Sequence, residues 1–373
     1  MIKKLLFFCF LLTYAFSFSQ NPALSENASV SIFTCGRGNE LYSTFGHTAI
    51  RIKDLNNNLD VVYNYGAFDF RTENFYLKFV KGDLQYFINA TSFEDFIFEY
   101  QADNREVVEQ TLALSLAKKQ ELFELLNASL YSEERNYTYK FIDRNCTTMV
   151  VDKINAILGK KLIDKVDDKS ISYRSLLYPY FDNHFYYKLG INIIFGVKTD
   201  SKAEKLFLPV ELMHSLDQAK VNQKPIVSKK ETLVEGATLS NTFSFVNSIY
   251  FIALILLVIV VINNKYVSLI YLFISGILGI FLCLVGLYSD HEEVLWNYNA
   301  LLFNPLYCIL GLLSVVWFRK MATICFLTTL LYIAIMIGKP HLPLMIPFIL
   351  ANNYILLRLV KQAKKAQDSS SKS

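Results

Sequence analysis

Charged side chains are scarce in this chain. They account for 19% of its 373 residues, where an average globular protein carries about 25%. An excess of one sign is scarcer still. The net charge is +4 and the Lys and Arg residues form no dense stripe, which excludes a nucleic-acid binder or another polyanion partner. Cysteine is also sparse: the 6 present are too few and too scattered for a disulfide scaffold. Apolar sequence is abundant instead, at 53% against roughly 45–50% for an average chain. It is unevenly spread. Residues 21–244 read as an ordinary mixed domain, while residues 245–360 are nearly continuous apolar sequence broken by short polar clusters. That split excludes a purely cytosolic enzyme and a disordered protein.

Residues 1–19 have the layout of a secretory signal peptide. Lys3 and Lys4 form the basic start, Leu5 to Phe16 the apolar run, and Ser17 and Ser19 the small residues before a cut after Ser19. The apolar run is shorter than the roughly 17–25 residues that span a bilayer. Cys9 lies inside that run without the small neighbours of a lipoprotein signal. Export places residues 20–244 outside the cytoplasm.

Five apolar stretches follow, at Phe245–Ile262, Val267–Tyr288, Asn299–Phe318, Met321–Ile337 and Leu342–Leu359. Each approaches the ~20 residues that a membrane helix needs, so the expectation is a bundle of about five helices over 245–360. Flanking charges set its direction. With the first domain outside, Lys265, Arg319 and Lys320 fall inside together with the basic tail 361–373, which holds Lys361, Lys364 and Lys365. The acidic link Ser289–Asn297 falls outside. Basic residues thus gather on the cytoplasmic side, with Lys339 alone dissenting.

The chemistry is expected in the exported part. Ala28–Thr34, Thr48–Ile52 and Val61–Tyr65 read as strands, the last two separated by the turn-rich Lys53–Asp60. Phe93–Tyr100, Arg105–Asn127 and Cys146–Leu158 read as helices. The sum is an α+β domain. Cys146 falls at the start of its helix, where the dipole and free backbone N–H groups favour a thiolate and can hold an oxyanion. Asn145 suits the N-cap. His47, entering a strand just after Gly46, can take and return the thiol proton. Other readings stand beside this one. Cys35 could pair with Cys146 in a disulfide, His47 could be a packed strand residue, and His184, His214 and His291 are rival bases.

Several motifs in order carry a resemblance. They are Thr34-Cys-Gly-Arg-Gly38, Phe45-Gly-His-Thr-Ala-Ile-Arg51, Val62-Tyr-Asn-Tyr-Gly-Ala-Phe-Asp69, the Phe75 to Gly82 segment, Asn145-Cys-Thr-Thr148 and Phe207-Leu-Pro209. In the apolar part, Asp290-His291, Asn297-Tyr-Asn299 and Asn304-Pro305 extend the series. Together they resemble the Lnb-type lipoprotein N-acyltransferases, inner-membrane proteins of Gram-negative bacteria. Arg37-Gly38 stands where members often carry Pro-Gly, and Asp143-Arg144 replaces Tyr-Asp before Asn145. The resemblance implies a permuted papain-like fold with His before Cys, a scaffold related to cell-wall cysteine peptidases and lecithin:retinol acyltransferases. It implies Cys146 as nucleophile and His47 as base. Asn64 is the first choice for the group orienting the imidazole and Asp69 the second. Tyr42 is a candidate oxyanion donor.

A cell-wall peptidase needs at most one anchor, whereas an enzyme using lipid substrates needs its nucleophile at the bilayer surface. The expected reaction is therefore ping-pong acyl transfer from a phospholipid, through a Cys146 thioester, to the α-amine of a diacylglyceryl lipoprotein. Asp290, His291 and Asn299 are expected to bind substrate near that surface. Neither a cofactor nor a metal is expected, since the His291 cluster has no second such group beside it. A thiol hydrolase acting on peptidoglycan or protein, and a non-catalytic scaffold closed by a Cys35–Cys146 disulfide, are the alternatives.

Overall fold

The computed structural model describes residues 22–182, 184–237 and 243–370. The signal-peptide reading and Cys9 lie outside the described residues. Period-two stretches form β1 (Ser29–Cys35), β2 (His47–Asp54) and β3 (Leu59–Ala67). A turn over Leu55–Asn57, closed by Asn58 at φ 50°, joins β2 to β3; asparagine tolerates that left-handed backbone better than most residues. The chain continues through α1 (Phe75–Lys81), β4 (Gln85–Ser92), α2 (Phe93–Ala102), β5 (Val107–Leu112) and α3 (Leu116–Tyr131). Next come β6 (Asn136–Thr138), α4 (Cys146–Leu158), α5 (Tyr173–Leu177), α6 (Phe185–Ile194) and α7 (Pro209–Gln218). A small hairpin of β7 (Lys220–Val221) and β8 (Lys224–Pro225) leads into β9 (Val227–Val234).

Seven strands make one antiparallel sheet in the order β6-β4-β3-β2-β1-β5-β9. Successive side chains of each strand point to opposite faces. Ile32, Ile50, Ile52, Tyr63 and Tyr65 pack with α3 and α4 in the larger core, while Phe33, Ala49 and Val62 pack with Phe96 of α2 in the smaller one. The domain is α+β, as expected. One expectation is corrected: Arg105–Asn127 is not one helix. Val107–Leu112 is the strand between β1 and β9, and the helix starts after Ser115, whose hydroxyl accepts the Lys118 N–H. Its apolar residues suit either period, and pairing on both edges selects the strand.

The apolar region is corrected more sharply. It contains α8 (Ile249–Val261), α9 (Lys265–Tyr288), α10 (Val315–Met336) and α11 (Leu342–Ser370). Among the described residues, three helices are long and apolar enough to cross a membrane: α9, α10 and the Leu342–Lys365 part of α11. The expected span at 299–318 is not an α-helix. It forms 3-10 turns at Tyr298–Leu301 and Pro305–Leu312, broken where Asn304 caps the second turn and Pro305 lacks an N–H. This strand of irregular backbone lies against α9. A Cβ on Gly279 would overlap the Phe303 carbonyl, and one on Gly276 would come within 2.7 Å of Cys308 Sγ. Such backbone is tolerated in an apolar layer when buried against protein.

Polar contacts at two places fix the sheet domain to these helices. Beyond the end of α9, the Asp290 N–H donates to Lys81 O (2.6 Å) and Ser289 Oγ to Val80 O (2.8 Å). Farther along, the buried Arg174 donates to Asp200 Oδ1 (2.7 Å), Asn192 Oδ1 (3.1 Å) and the Tyr298 hydroxyl (3.2 Å). Tyr298 OH and Lys339 Nζ both bond Asp200 Oδ2, at 2.6 and 2.7 Å. Lys339, the one basic residue out of line with the others, is thus the ion-pair partner of a carboxylate of the sheet domain. Links 289–297 and 338–341 both lie on the side of that domain.

Replacing Gly279 by Ala should lower the thermal midpoint of the detergent-solubilised protein by the equivalent of about 2–3 kcal/mol. Gly286→Ala, on the same helix with its nearest neighbour at 4.0 Å, should leave the midpoint unchanged. Equal melting of both variants in a thermal-shift measurement would contradict the close approach.

Candidate active site

Helix α4 begins where two neighbours force the chain to turn. Asn145 is extended (φ −120°, ψ −176°), its Oδ1 accepts the Thr148 N–H, and Thr148 Oγ1 accepts the Asn145 N–H (2.9 Å). This reciprocal box satisfies orphan donors of the first turn. The Asn145 amide nitrogen donates to Phe141 O and Phe207 O, each at 2.9 Å, so the cap is bolted to flanking segments as well. The Met149 N–H bonds Asn145 O. That leaves the N–H groups of Cys146 and Thr147 without a partner among the described residues, at the positive end of the helix.

His47 is the first residue of β2. Gly46 before it sits at φ +82°, and a Cβ there would lie 2.5 Å from Cys35 O; only glycine fits this entry. Phe45 then packs on Phe141 (5.2 Å), Tyr180 (5.6 Å) and Phe181 (5.6 Å). The loop ahead of His47 is thereby held against the segment ahead of Cys146. On the other strand face, Thr48 Oγ1 meets Thr147 Oγ1 at 3.0 Å in the core, aligning the start of β2 with the start of α4.

The result is a thiol placed beside an imidazole. His47 and Cys146 are close enough for each to shift the ionisation of the other, and the Thr48 backbone N–H also favours the thiolate. His47 Nε2 lies 3.2 Å from Asn64 Oδ1, while Asn64 Nδ2 faces Val62 O (3.3 Å) and Thr91 Oγ1 (3.5 Å). Those two acceptors orient the amide so that its oxygen faces the ring, which assigns the proton to Nε2 and leaves Nδ1 as the basic nitrogen. Burial opposes ionisation of the Cys146 thiol, but the adjacent His47 outweighs it and holds the thiol below its usual range. Burial likewise opposes a charged His47, yet Cys146 and then Asn64 raise its basicity above the ordinary value. Both shifts favour the thiolate–imidazolium pair.

The other expected site residues lie elsewhere. Asp69, half-exposed, is held bidentate by Arg71 (2.7 Å), which lowers its carboxyl to about 2; its hydrogen bonds go to Arg71 and not to His47. Tyr42 is exposed, with its ring edge on Phe68 (5.9 Å), and makes no bond to the pair. Asn299 is fully buried with its amide occupied by Asn192 O, Ile193 O and the Tyr332 hydroxyl. It clamps the end of α6. Asp290 is exposed. His291 Nε2 bonds Phe79 O (2.9 Å), and its ring lies against Gly82. His184 stacks on Tyr187, and His214 bonds Asp167 at 2.9 Å.

Cys35 and Cys146 are both free thiols, as are all five described cysteines. The expected alternative of a Cys35–Cys146 bridge is therefore absent. Burial pushes the Cys35 thiol up to about 12. A cavity of about 730 Å³ lies along α4 between Glu133, Asp143, Arg144 and Asp152, and Cys146 is not among its lining residues. Sequence reading missed the Phe45–Phe141 contact, the Thr48–Thr147 pair and the Lys198 bridge. Lys198 bonds Asp143 (2.5 Å) and Glu292 (2.8 Å), linking the segment before Cys146 to the 289–297 link. These are long-range pairings with no local signature.

Among known proteins, residues 18–178 match the family model described as the Lnb N-terminal periplasmic domain. The matched range includes His47, Asn64 and Cys146. No curated protein and no solved structure matches the chain.

Alkylation by iodoacetamide, followed by peptide mass spectrometry across pH, reads the pair directly. Cys146 should react at neutral pH while Cys35 stays unmodified, and its reactivity should set in below the ordinary thiol range. His47→Ala should move that onset to higher pH. Asn64→Ala should lower the pH at which the imidazolium is lost, because the Asn64 contact raises His47. An ordinary thiol profile at Cys146, unchanged by His47→Ala, would exclude the ion pair.

Proposed function

We propose that this chain, which belongs to the Lnb family through its N-terminal periplasmic domain, is a membrane-bound lipoprotein N-acyltransferase with Cys146 as nucleophile. The observation that carries the reading is the Cys146–His47–Asn64 series at the N-terminus of α4, on a domain bonded to the ends of apolar helices. The His-first order, the antiparallel sheet and the cysteine at a helix start support a permuted papain-like scaffold.

The reaction proceeds in two balanced steps. The Cys146 thiolate attacks the ester carbonyl of a phospholipid. A carbon–sulfur bond forms, and the developing oxyanion is met by the free N–H groups of Cys146 and Thr147. As the ester C–O bond breaks, the His47 imidazolium gives its proton to the departing lysophospholipid oxygen. The α-amine of the diacylglyceryl cysteine then attacks the thioester and loses a proton to His47. The C–S bond breaks, and an amide and the thiolate–imidazolium pair result. Asn64 keeps the ring oriented throughout and is a positioning residue.

The domain plan in this reading is a signal peptide at 1–19, a periplasmic catalytic domain at 20–244, a membrane domain at 245–360 and a cytoplasmic tail at 361–373. The host membrane is the inner membrane. Links 289–297 and 338–341 on the sheet-domain side, with Lys361, Lys364 and Lys365 at the far end of α11, support that orientation.

Cys146→Ser should abolish N-acylation of lipoproteins in cells while the protein still accumulates in the membrane. Mass spectrometry of lipoprotein N-termini should find diacyl forms only. Unchanged triacyl forms in that variant would refute the assignment.

A further inference from the structure

Helix α1 and the turn before it leave apolar side chains uncovered beside the candidate active site. Phe70 is 60% exposed, Tyr76 76%, Leu77 66% and Phe79 43%. Isolated exposed apolar residues are ordinary, but four within ten positions form a patch. Its inner side is built rather than loose. Phe68 packs on Phe70 (5.0 Å), Phe75 (5.9 Å) and Tyr86 (5.3 Å), and Tyr86 stacks on Tyr139 (4.4 Å). Gly66, two residues before Phe68, would carry a Cβ only 3.7 Å from Cys146 Cβ. The patch therefore begins within a few residues of the nucleophile.

Its position relative to the apolar helices identifies the occupant. Val80 O and Lys81 O accept from Ser289 and from Asp290, and Phe79 O bonds His291. These carbonyls lie at the end of α1, and their partners immediately follow α9. The last turns of α9 expose Leu284, Leu287 and Tyr288. The exposed apolar end of α9 thus adjoins α1, with Ser289, Asp290 and His291 at the junction. Lys78 and Lys81 on the same short helix complete an aromatic, apolar and basic composition suited to the headgroup boundary. A protein partner would leave the junction with α9 unexplained.

We propose that α1 and the Phe68–Phe70 turn insert into the outer leaflet as an interfacial anchor. The exposed side chains contact phospholipid acyl chains, and donor lipids reach Cys146 alongside them. The second half of this statement rests on the acyltransferase reading; the lipid contact does not.

The test uses the full chain in vesicles of phosphatidylethanolamine and phosphatidylglycerol, with benzoylphenylalanine placed at Leu77. The control is the same group at Leu55, which is equally exposed but lies in the β2–β3 turn at the far end of the hairpin. Irradiation should yield about fivefold more lipid adduct at position 77 than at 55, as expected for an interfacial residue. A label at Tyr76 serves as the second position if the first variant fails to accumulate. Equal lipid yields at the two sites, or adducts to protein alone, overturn the anchor. Acylation of Cys146 is read in the same vesicles. Lipid adducts at 77 without any acyl-Cys146 contradict the acyltransferase reading and leave the anchor standing. Acyl-Cys146 without lipid adducts at 77 does the reverse.

Discussion

A cysteine at a helix start is only weakly nucleophilic until a positive charge is held beside it, and in this protein that charge is the imidazole of His47. Much of the surrounding structure serves the pairing. Asn145 caps α4 and is itself bonded to Phe141 and Phe207. Gly46 turns the chain into β2 at a point too tight for a side chain. Phe45 and Phe141 lock the two entering loops to each other, and Asn64 fixes the face of the ring. The effects act in one direction. Burial alone would keep both groups neutral, and mutual proximity reverses that for both. Because the two groups are so closely coupled, they titrate as a unit rather than as separate residues.

The second constraint is where that pair sits. The Arg174–Asp200–Tyr298–Lys339 cluster and the contacts of residues 289–291 with α1 tie the sheet domain to the apolar helices at two places. Buried, charged hydrogen bonds of this kind are geometrically exacting, and removing one partner costs roughly 3–5 kcal/mol. They give Cys146 a set position relative to the helices, which a flexible linker would not. The Lys198 bridge between Asp143 and Glu292 extends the same coupling to within three residues of Cys146.

Features legible in the sequence were local ones. The helix at Cys146–Leu158 announces itself through an N-cap and an apolar period of 3.6, strand β1 through alternation, and β2 and β3 through β-branched and aromatic residues. The choice of Asn64 over Asp69 came from the resemblance; the structure bonds Asn64 to the imidazole and Asp69 to Arg71. Features set by distant partners were not legible. Val107–Leu112 joins the sheet because β1 and β9 flank it, which no window of sequence reveals. The expected span at 299–318 is as apolar as a membrane helix, but hydropathy is blind to the backbone consequences of Asn304-Pro305 and of glycines at 276 and 279. The partners of the buried Asn299 amide were not legible for the same reason: they lie on distant segments, at Asn192 and Tyr332.

The most direct measurement is the mass of the Cys146 peptide after the purified protein is incubated with phospholipid vesicles in the absence of an acceptor. The account predicts a fatty-acyl increment on Cys146, labile to hydroxylamine and discharged by a lipopeptide with a free α-amine, with one lysophospholipid formed per acylated protein. An unmodified Cys146, in a protein whose thiol still alkylates at neutral pH, would contradict it.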